Sequence, residues 1–494
     1  MKKFKKIFFI VGVVLSCFSC KNNKEQASSN EAVSNDELQK PNIIYILADD
    51  LGYGDLSIYG QEKFETPNID QLAKNGMLFT QHYSGSTVCA PSRSTLLTGM
   101  HTGHTVVRGN KEISPEGQYP IPDSTYTLAK ALKKGGYVNG VFGKWGLGYP
   151  GSEGDPIAQG FDTFFGYNCQ RLGHNYYPRH LWSNSDSIVL PENEGKLRGT
   201  YAPHLIHEKT LRFIEEQKDT SFFAYVASII PHAELAAPED IVKKYRGKYP
   251  PEKPFKGTDD GETYRLGPYM SQEEPHATYA AMVEILDTQV GEIVAKLNEL
   301  GIADNTLIIF TSDNGPHREG GANPSYFNSN GVFRGFKRDL YEGGIRVPMI
   351  ASWPKKIKSG STSNHISAFW DVFPTFTEIA GIDTPDNIDG VSFLPSLFGE
   401  LEDQKKHEYL YWEFHEKGGR QAIRKGDWKA VKNNVLKEPN ADLELYNLAA
   451  DPSEKNNVAA QYKDVVKEME KILKTARTPS DVFTFSQEAY LKSN

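Results

Sequence analysis

A chain of 494 residues is long for a single hydrophobic core, so one large domain with a smaller companion is expected. With 38% hydrophobic and 12% aromatic residues it carries enough apolar surface to fold, which excludes an intrinsically disordered protein. Its net charge of −8 excludes nucleic acid as a partner, because phosphate backbones demand a basic surface, while a local Arg/Lys cluster still leaves room for a small acidic substrate.

The first residues, 1–20, read MKKFKKIFFIVGVVLSCFSC and have the build of a targeting segment. Lys2, Lys3, Lys5 and Lys6 form a basic start, and Ile7 to Leu15 form an apolar stretch too short to span a bilayer. The segment ends at Cys20 and resembles a bacterial lipoprotein signal, in which the cysteine becomes the lipidated N-terminus. Cys17 is a rival lipid site, and cleavage by an ordinary signal peptidase is the plainer alternative. Residues 21–40, KNNKEQASSNEAVSNDELQK, are nearly free of apolar side chains and read as a polar tether. An exported chain is expected, periplasmic or on the outer membrane or cell surface, touching membrane through its N-terminal lipid only. Beyond this segment only Cys89 and Cys169 remain, too few for a disulfide framework.

Four later stretches share one plan, an apolar strand that runs into a reactive residue. PNIIYILADDLGYGD ends its run at Asp49 and Asp50; YVNGVFGKWGLG runs into Lys144; SFFAYVASIIPH runs into His232; NTLIIFTSDNG runs into Asp313 and Asn314. Between the last two lies HATYAAMVEILDTQVGEIVAKLNELG. Its Met282, Ile285, Leu286, Ile293, Val294 and Leu297 keep helical spacing, and Gly301 stops it. Strands alternating with helices predict an α/β fold, a large, mostly parallel sheet with helices on both faces. Ligands bind such sheets beyond the carboxyl ends of the strands, which is where all these reactive residues fall.

Asp49, Asp50, Asp313 and Asn314 are hard oxygen donors, suited to calcium or magnesium rather than zinc. For either pair alone, a turn or a helix cap is the ordinary reading. Two pairs after two similar strands, beside the basic set Arg93, Lys144, Lys337 and His232, point instead to a metal site serving a tetrahedral anionic ester. Singly, Lys337 in FRGFKRDLYEGG reads as a solvated lysine and His232 as a satisfied loop histidine.

The stretch VCAPSRSTLLTG leaves three readings open for Cys89: a structural thiol, a thiolate nucleophile, or a residue converted before use. A tyrosine-phosphatase-like thiolate takes five residues between Cys and Arg, whereas three separate Cys89 from Arg93. A papain-like site needs a Cys–His pair that nothing in the sequence identifies. GLGYPG, from Gly146 to Gly151, formally fits a dinucleotide fingerprint, but the Pro150 and GSEGDP that follow open no helix.

CAPSRSTLLTG, Cys89 to Gly99, resembles the C-x-P-S-R-x-x-x-x-T-G signature of the formylglycine-dependent (type I) sulfatases, members of the alkaline-phosphatase-like superfamily. ADDLGYGD, GKWGLG, TSDNG, YEGGIRVP and ELYNLAADPSE extend the resemblance in order from Pro41 to about Leu448. It implies that Cys89 is oxidised by a formylglycine-generating maturation enzyme to Cα-formylglycine, whose hydrate is the nucleophile. By the same resemblance Ca2+, with Mg2+ as the alternative, is held by Asp49, Asp50, Asp313, Asn314 and the modified Cys89. Arg93 orients the formylglycine, Lys144 and Lys337 bind sulfate oxygens, and His232 protonates the leaving alcohol. The family commonly reads G-K-W-H-L-G, its His taking a proton as sulfate leaves; here Gly146 stands in that place, and His174 in RLGHNYYP is a candidate substitute and substrate contact.

After about residue 385 the pattern changes. HEYLYWEFHE and RQAIRKGDWKAV predict short antiparallel strands, and YKDVVKEMEKILKTA an amphipathic helix. The resemblance therefore divides the chain into a catalytic domain at 41–385 and a smaller α+β C-terminal subdomain at 386–494, whose His415 and Arg420 are candidates to touch sugar. GKWGLGYPGSEGDP and GFDTFFGYNCQRLGHNYYP are similar to bacterial sulfatases of polysaccharide breakdown. The expected activity is hydrolysis of a sulfate ester on a glycan, with 4-sulfated galactose or N-acetylgalactosamine as the expected unit. The alternatives are a phosphonate or phosphodiester hydrolase of the same superfamily and a non-catalytic glycan-binding lipoprotein.

Overall fold

The apolar runs that end in reactive residues become the middle of one large sheet. The computed structural model describes residues 40–261, 266–438 and 440–493. The expected signal segment, the tether up to residue 39, and both Cys17 and Cys20 lie outside the described residues. The strands of the large sheet, in chain order, are β1 (Asn42–Ala48), β2 (Met77–Tyr83), β3 (Val138–Lys144), β4 (Thr163–Tyr167), β5 (His180–Ser183), β6 (Asp186–Val189), β7 (Phe222–Ala227), β8 (Thr306–Ser312), β9 (Arg346–Ser352), β10 (Ser361–Ser363) and β11 (Ser367–Ala368). They lie side by side as β10-β2-β9-β8-β1-β7-β3-β4-β5-β6, with β11 also on β2. From β8 to β4 every pairing is parallel. Antiparallel pairs flank this block, β9 with β8 and β2 on one side, β5 with β4 and β6 on the other.

All seven residues of β1 are buried, because helices cover both faces of the sheet. The covering helices are α1 (Pro67–Lys74), α2 (Cys89–Thr98), α3 (Leu128–Lys134), α4 (Ala202–Glu216), α5 (Pro275–Glu299) and α6 (Val372–Ala380). Alternation along β1 sends Ile44, Ile46 and Ala48 into one core with α1, α4 and α5. Ile43, Tyr45 and Leu47 enter a second core with α2, α3 and α6. The helix predicted around 276–300 is α5, whose Met282, Ile285, Leu286, Ile293 and Leu297 are buried. Gly301, at φ +70°, takes the left-handed conformation that ends it.

The C-terminal strands β12 (Leu410–Phe414), β13 (Arg420–Lys425), β14 (Trp428–Asn433) and β15 (Glu444–Asn447) form a separate antiparallel sheet. Tyr411, Ile423, Ala430 and Leu445 pack under α7 (Lys463–Thr475) through its Met469, Ile472 and Leu473. The opposite face, with Leu410, Trp412 and Phe414, packs on Tyr83, Val88 and Trp370 of the larger unit. Phe393 and Leu397, beyond residue 385, still belong to the core of the large sheet with Phe373 and Phe376. No helix among the described residues is long and apolar enough to cross a membrane.

Candidate active site

Parallel register brings the reactive residues level. Ala48 pairs with Ser312, Leu47 with Ala227, and Gly143 with Ala227, so β3, β7, β1 and β8 end side by side. Asp49 and Asp50 leave β1, Asp313 and Asn314 leave β8, and Lys144 is the last residue of β3. A turn after β7, closed by the His232 amide donating to the Ile229 carbonyl (3.0 Å), delivers His232. Asp50 holds φ +65°, a left-handed backbone in which its amide donates to Asp313 Oδ1 (3.1 Å). Cys89 opens α2, and Arg93, four residues on, shares its face of the helix. Apart from Lys337, which is 9% exposed, each of these side chains belongs to residues at most 3% exposed.

Cys89 Sγ lies 3.2 Å from Asp49 Oδ1 and 3.6 Å from Lys144 Nζ. Lys144 Nζ donates to Asp49 Oδ2 at 2.6 Å. The Arg93 guanidinium donates to Asp313 Oδ2 (3.0 Å), to Asp49 Oδ2 (3.4 Å) and to the Lys144 carbonyl. Lys337 Nζ donates to Asp50 Oδ2 (2.8 Å) and to His232 Nε2 (2.9 Å). All nine expected catalytic and metal residues thus form one contiguous buried cluster.

Three carboxylates face three fixed cations. Burial pushes Asp49 up, but Lys144, Arg93 and Lys337 outweigh it and hold its carboxyl at about 2. Burial and then Asp49 push Asp313 up to about 7, against the pull of Arg93. Burial, Asp313 and Asp49 raise the Cys89 thiol well above its ordinary value, the opposite of what a thiolate nucleophile needs. Burial, Lys337 and Lys144 keep His232 neutral. Its Nδ1 meets the Ala233 carbonyl, so Nε2 is the acceptor turned to Lys337.

His232 is the middle layer of three parallel imidazoles. His174 stacks on it at 4.7 Å and 10°, and His317 at 5.7 Å and 17°. His174 Nδ1 is fixed on the Gly267 carbonyl (2.9 Å), and His317 Nε2 on the Pro231 carbonyl (3.0 Å). Sequence reasoning missed His317 and Glu319; the latter lies 3.5 Å from Lys337. The only signal for either was a place just downstream of SDNG.

The two candidates at the smaller sheet each have protein partners. His415 Nε2 pairs with Glu413 Oε1 (3.1 Å), and its ring meets Phe485 edge-on. Arg420 donates to Asp339 and to the Arg338 carbonyl, so it braces the loop that carries Lys337.

Gly146 is built into its surroundings. It holds φ +78°, and a Cβ placed there would lie 1.8 Å from Gln170 Nε2. The Gln170 amide therefore fills the room of a side chain at 146. Gln170 is 5% exposed, and neither its nitrogen nor its oxygen has a hydrogen-bond partner among the described residues. No sequence pattern singles it out, since the contact joins the ends of two adjacent strands.

The donor set fits a divalent cation of the hard, oxygen-seeking class. Ligand atoms of Asp49, Asp50, Cys89 and His232 lie within 4.8 Å of one another. Asn314 Oδ1 is buried without a hydrogen-bond partner, an acceptor aimed at nothing the protein supplies. The Asp313 carboxyl, raised first by burial and then by Asp49, is one that a cation beside it would hold ionised.

Comparison with known proteins points to one family. The sulfatase family model matches residues 41–382, and the model described as N-sulphoglucosamine sulphohydrolase, C-terminal, matches residues 331–479. Over 385 residues the chain is 34% identical to N-acetylgalactosamine-6-sulfatase of Canis lupus familiaris, covering 73% of this chain and 66% of the dog protein, just under two thirds of its length. Over 491 residues it is 33% identical to N-acetylgalactosamine-6-O-sulfatase of Bacteroides thetaiotaomicron, covering 89% of this chain and 94% of that one. The solved structure of Ps i-CgsB in complex with k-i-k-neocarrahexaose superposes with a TM-score of 0.74 at 29% identity, covering 92% of this chain and 97% of that one.

Proposed function

The chain belongs to the sulfatase family, and from that premise we propose that it hydrolyses a sulfate ester on a carbohydrate, with Cys89 as the precursor of the nucleophile. One observation carries the reading: Cys89 opens a helix with its sulfur between Asp49 (3.2 Å) and Lys144 (3.6 Å), while its thiol is held protonated. As a thiol it is a poor nucleophile in this pocket. Converted to formylglycine and hydrated, the residue supplies one hydroxyl to attack sulfur and a second whose deprotonation lets sulfate go.

The surrounding side chains have distinct tasks. Asp49, Asp50, Asp313 and Asn314 would hold calcium, which supplies positive charge to the sulfate group and acidifies a bound hydroxyl. Arg93 anchors Asp49 and Asp313 from the helix that carries residue 89, fixing that helix against the strand ends. Lys144 and Lys337 are the donors for sulfate oxygens, pre-placed by Asp49 and Asp50. His232 Nε2, 2.9 Å from the Lys337 ammonium, takes a proton from that side and passes it to the leaving alcohol.

The names of the dog and Bacteroides relatives support N-acetylgalactosamine as the sugar and its 6-position as the sulfated one. The 4-sulfates of galactose and N-acetylgalactosamine are the competing substrates read from the sequence. Export with a lipid on Cys20 is part of the same reading, supported by the basic and apolar start that ends in CFSC. So is a maturation enzyme acting on Cys89.

The test is sulfate release, followed by ion chromatography, from N-acetylgalactosamine 6-sulfate, N-acetylgalactosamine 4-sulfate and galactose 4-sulfate, beside a phosphodiester analogue. Release from the 6-sulfate in preference to the others is expected. Faster turnover of the phosphodiester would reassign the enzyme within its superfamily. Glycan binding that survives Cys89→Ala, with no sulfate released by the wild type, would make it a binding protein.

A further inference from the structure

Away from the strand ends, the chain between the large sheet and β12 encloses a cavity of about 400 Å³. Small-ligand sites run from roughly 300 to 1,000 Å³, so its size suits a single sugar ring. His365, Lys406, His407 and Arg424 line it, and no Asp or Glu does. Arg424 is 2% exposed and spends its donors on neutral acceptors: Tyr83 Oη, Gln81 Oε1 and the Gly426 carbonyl. Arg424 and Lys406 form no ion pair among the described residues; the Arg424 charge helps hold the buried Glu342 carboxyl down behind the wall, and Lys406 stands exposed at the rim. His407 Nε2 is held by Asp371 Oδ1 at 2.7 Å.

Two donors in the wall are also unspent. His365 Nε2 and Ser396 Oγ have no hydrogen-bond partner among the described residues, although His365 is 9% and Ser396 0% exposed. Buried polar groups are left so rarely unpaired that each asks for a partner the protein does not provide. Tyr409 adds an aromatic ring to the wall, the kind of flat, half-polar surface that suits a sugar face.

We propose that this cavity is a second, non-catalytic site that binds a sulfated sugar unit and so keeps the enzyme on its polymer. The proposal rests on the reading that the substrate is a sulfated glycan. It joins a net positive wall, unpaired buried donors and an aromatic ring in one cavity of sugar size. The anion faces Lys406 and Arg424, and His365 and Ser396 bond its oxygens.

The test is made on the full mature chain carrying 13C-labelled histidine, with the His365 and His407 ring signals assigned by His365→Gln and His407→Gln. N-acetylgalactosamine 6-sulfate, unsulfated N-acetylgalactosamine and inorganic sulfate are titrated separately. Saturable shifts of both signals with the sulfated sugar, absent with the unsulfated one, are expected. Lys406→Glu should weaken that binding at least tenfold, raise KM on a sulfated polysaccharide, and leave kcat on a sulfated monosaccharide unchanged. Equal shifts with inorganic sulfate would identify the occupant as the free anion and overturn the sugar assignment; no shift with any probe would overturn the site. Because the signals report binding and not turnover, an inactive enzyme would refute the proposed function and leave this readout standing.

Discussion

Gly146→Ala asks whether the glycine in GKWGLG is a lost catalytic residue or a fitted part. A non-glycine residue held at φ +78° costs about 1–3 kcal/mol in backbone strain. The new Cβ also meets Gln170 Nε2 at 1.8 Å and Cδ at 2.7 Å, and forcing a buried side chain aside costs about 1–3 kcal/mol more. The single variant should therefore lose about 2–6 kcal/mol, read as a fall in denaturant midpoint at unchanged slope. In a Gln170→Ala background the clash is gone and the strain remains. The second change should then cost about 1–3 kcal/mol less than the first, a coupling typical of touching residues. Gly146→His, which restores the commoner motif, meets the same atom and should lower turnover. A Gly146→Ala variant within about 0.5 kcal/mol of wild type, the ordinary range of inert surface changes, would refute the reasoning. So would a Gly146→His variant that turns over faster.

Removing Lys144 as Lys144→Met leaves Asp49 buried without its nearest cation; unfolding free energy should fall by about 3–5 kcal/mol and kcat by at least about a hundredfold. Stripping divalent ions with a chelator should lower the melting temperature and abolish sulfate release, with calcium or magnesium restoring both and a thiol-seeking metal restoring neither. Glu454 gives a signed pH dependence. Burial and Glu342 raise its carboxyl to about 7 against Lys429, so the fold holds a proton the unfolded chain releases near 4.5. The stability it contributes is fully present below about pH 4.5 and lost as pH rises through 7. Denaturation at several pH values should show a smaller loss over that window in Glu454→Gln than in wild type.

The large sheet was legible because its central strands are buried on both faces. Such strands write themselves as unbroken apolar runs, and β1, β7 and β8 each do. The acidic cluster and most of the basic set were legible because those residues follow such a run or sit in a long motif; Lys337, in a loop, read singly as a solvated lysine. His317 and Gln170 were not, because nothing local marks them. One is defined by stacking on a residue 85 positions earlier, His232, and the other by filling space against Gly146 across two strands. The antiparallel margin β5–β6 was also invisible, since short strands at a sheet edge carry no clear period. Arg420 shows the converse limit. An arginine beside a predicted cleft looks like a substrate contact, and only the fold reveals that its Nη1 already braces Asp339 and the Arg338 carbonyl, while its buried Nε has no hydrogen-bond partner among the described residues.

The most direct test of the account is to measure, in one series of preparations, the mass of the peptide carrying Cys89 and the rate of sulfate release. Co-expression with graded amounts of a formylglycine-generating enzyme would vary the conversion. The account predicts a peptide lighter than the thiol form, its sulfur and two hydrogens replaced by a single oxygen, and activity proportional to the converted fraction with none at zero conversion. Sulfate release that persists at full strength while Cys89 remains a thiol would contradict it.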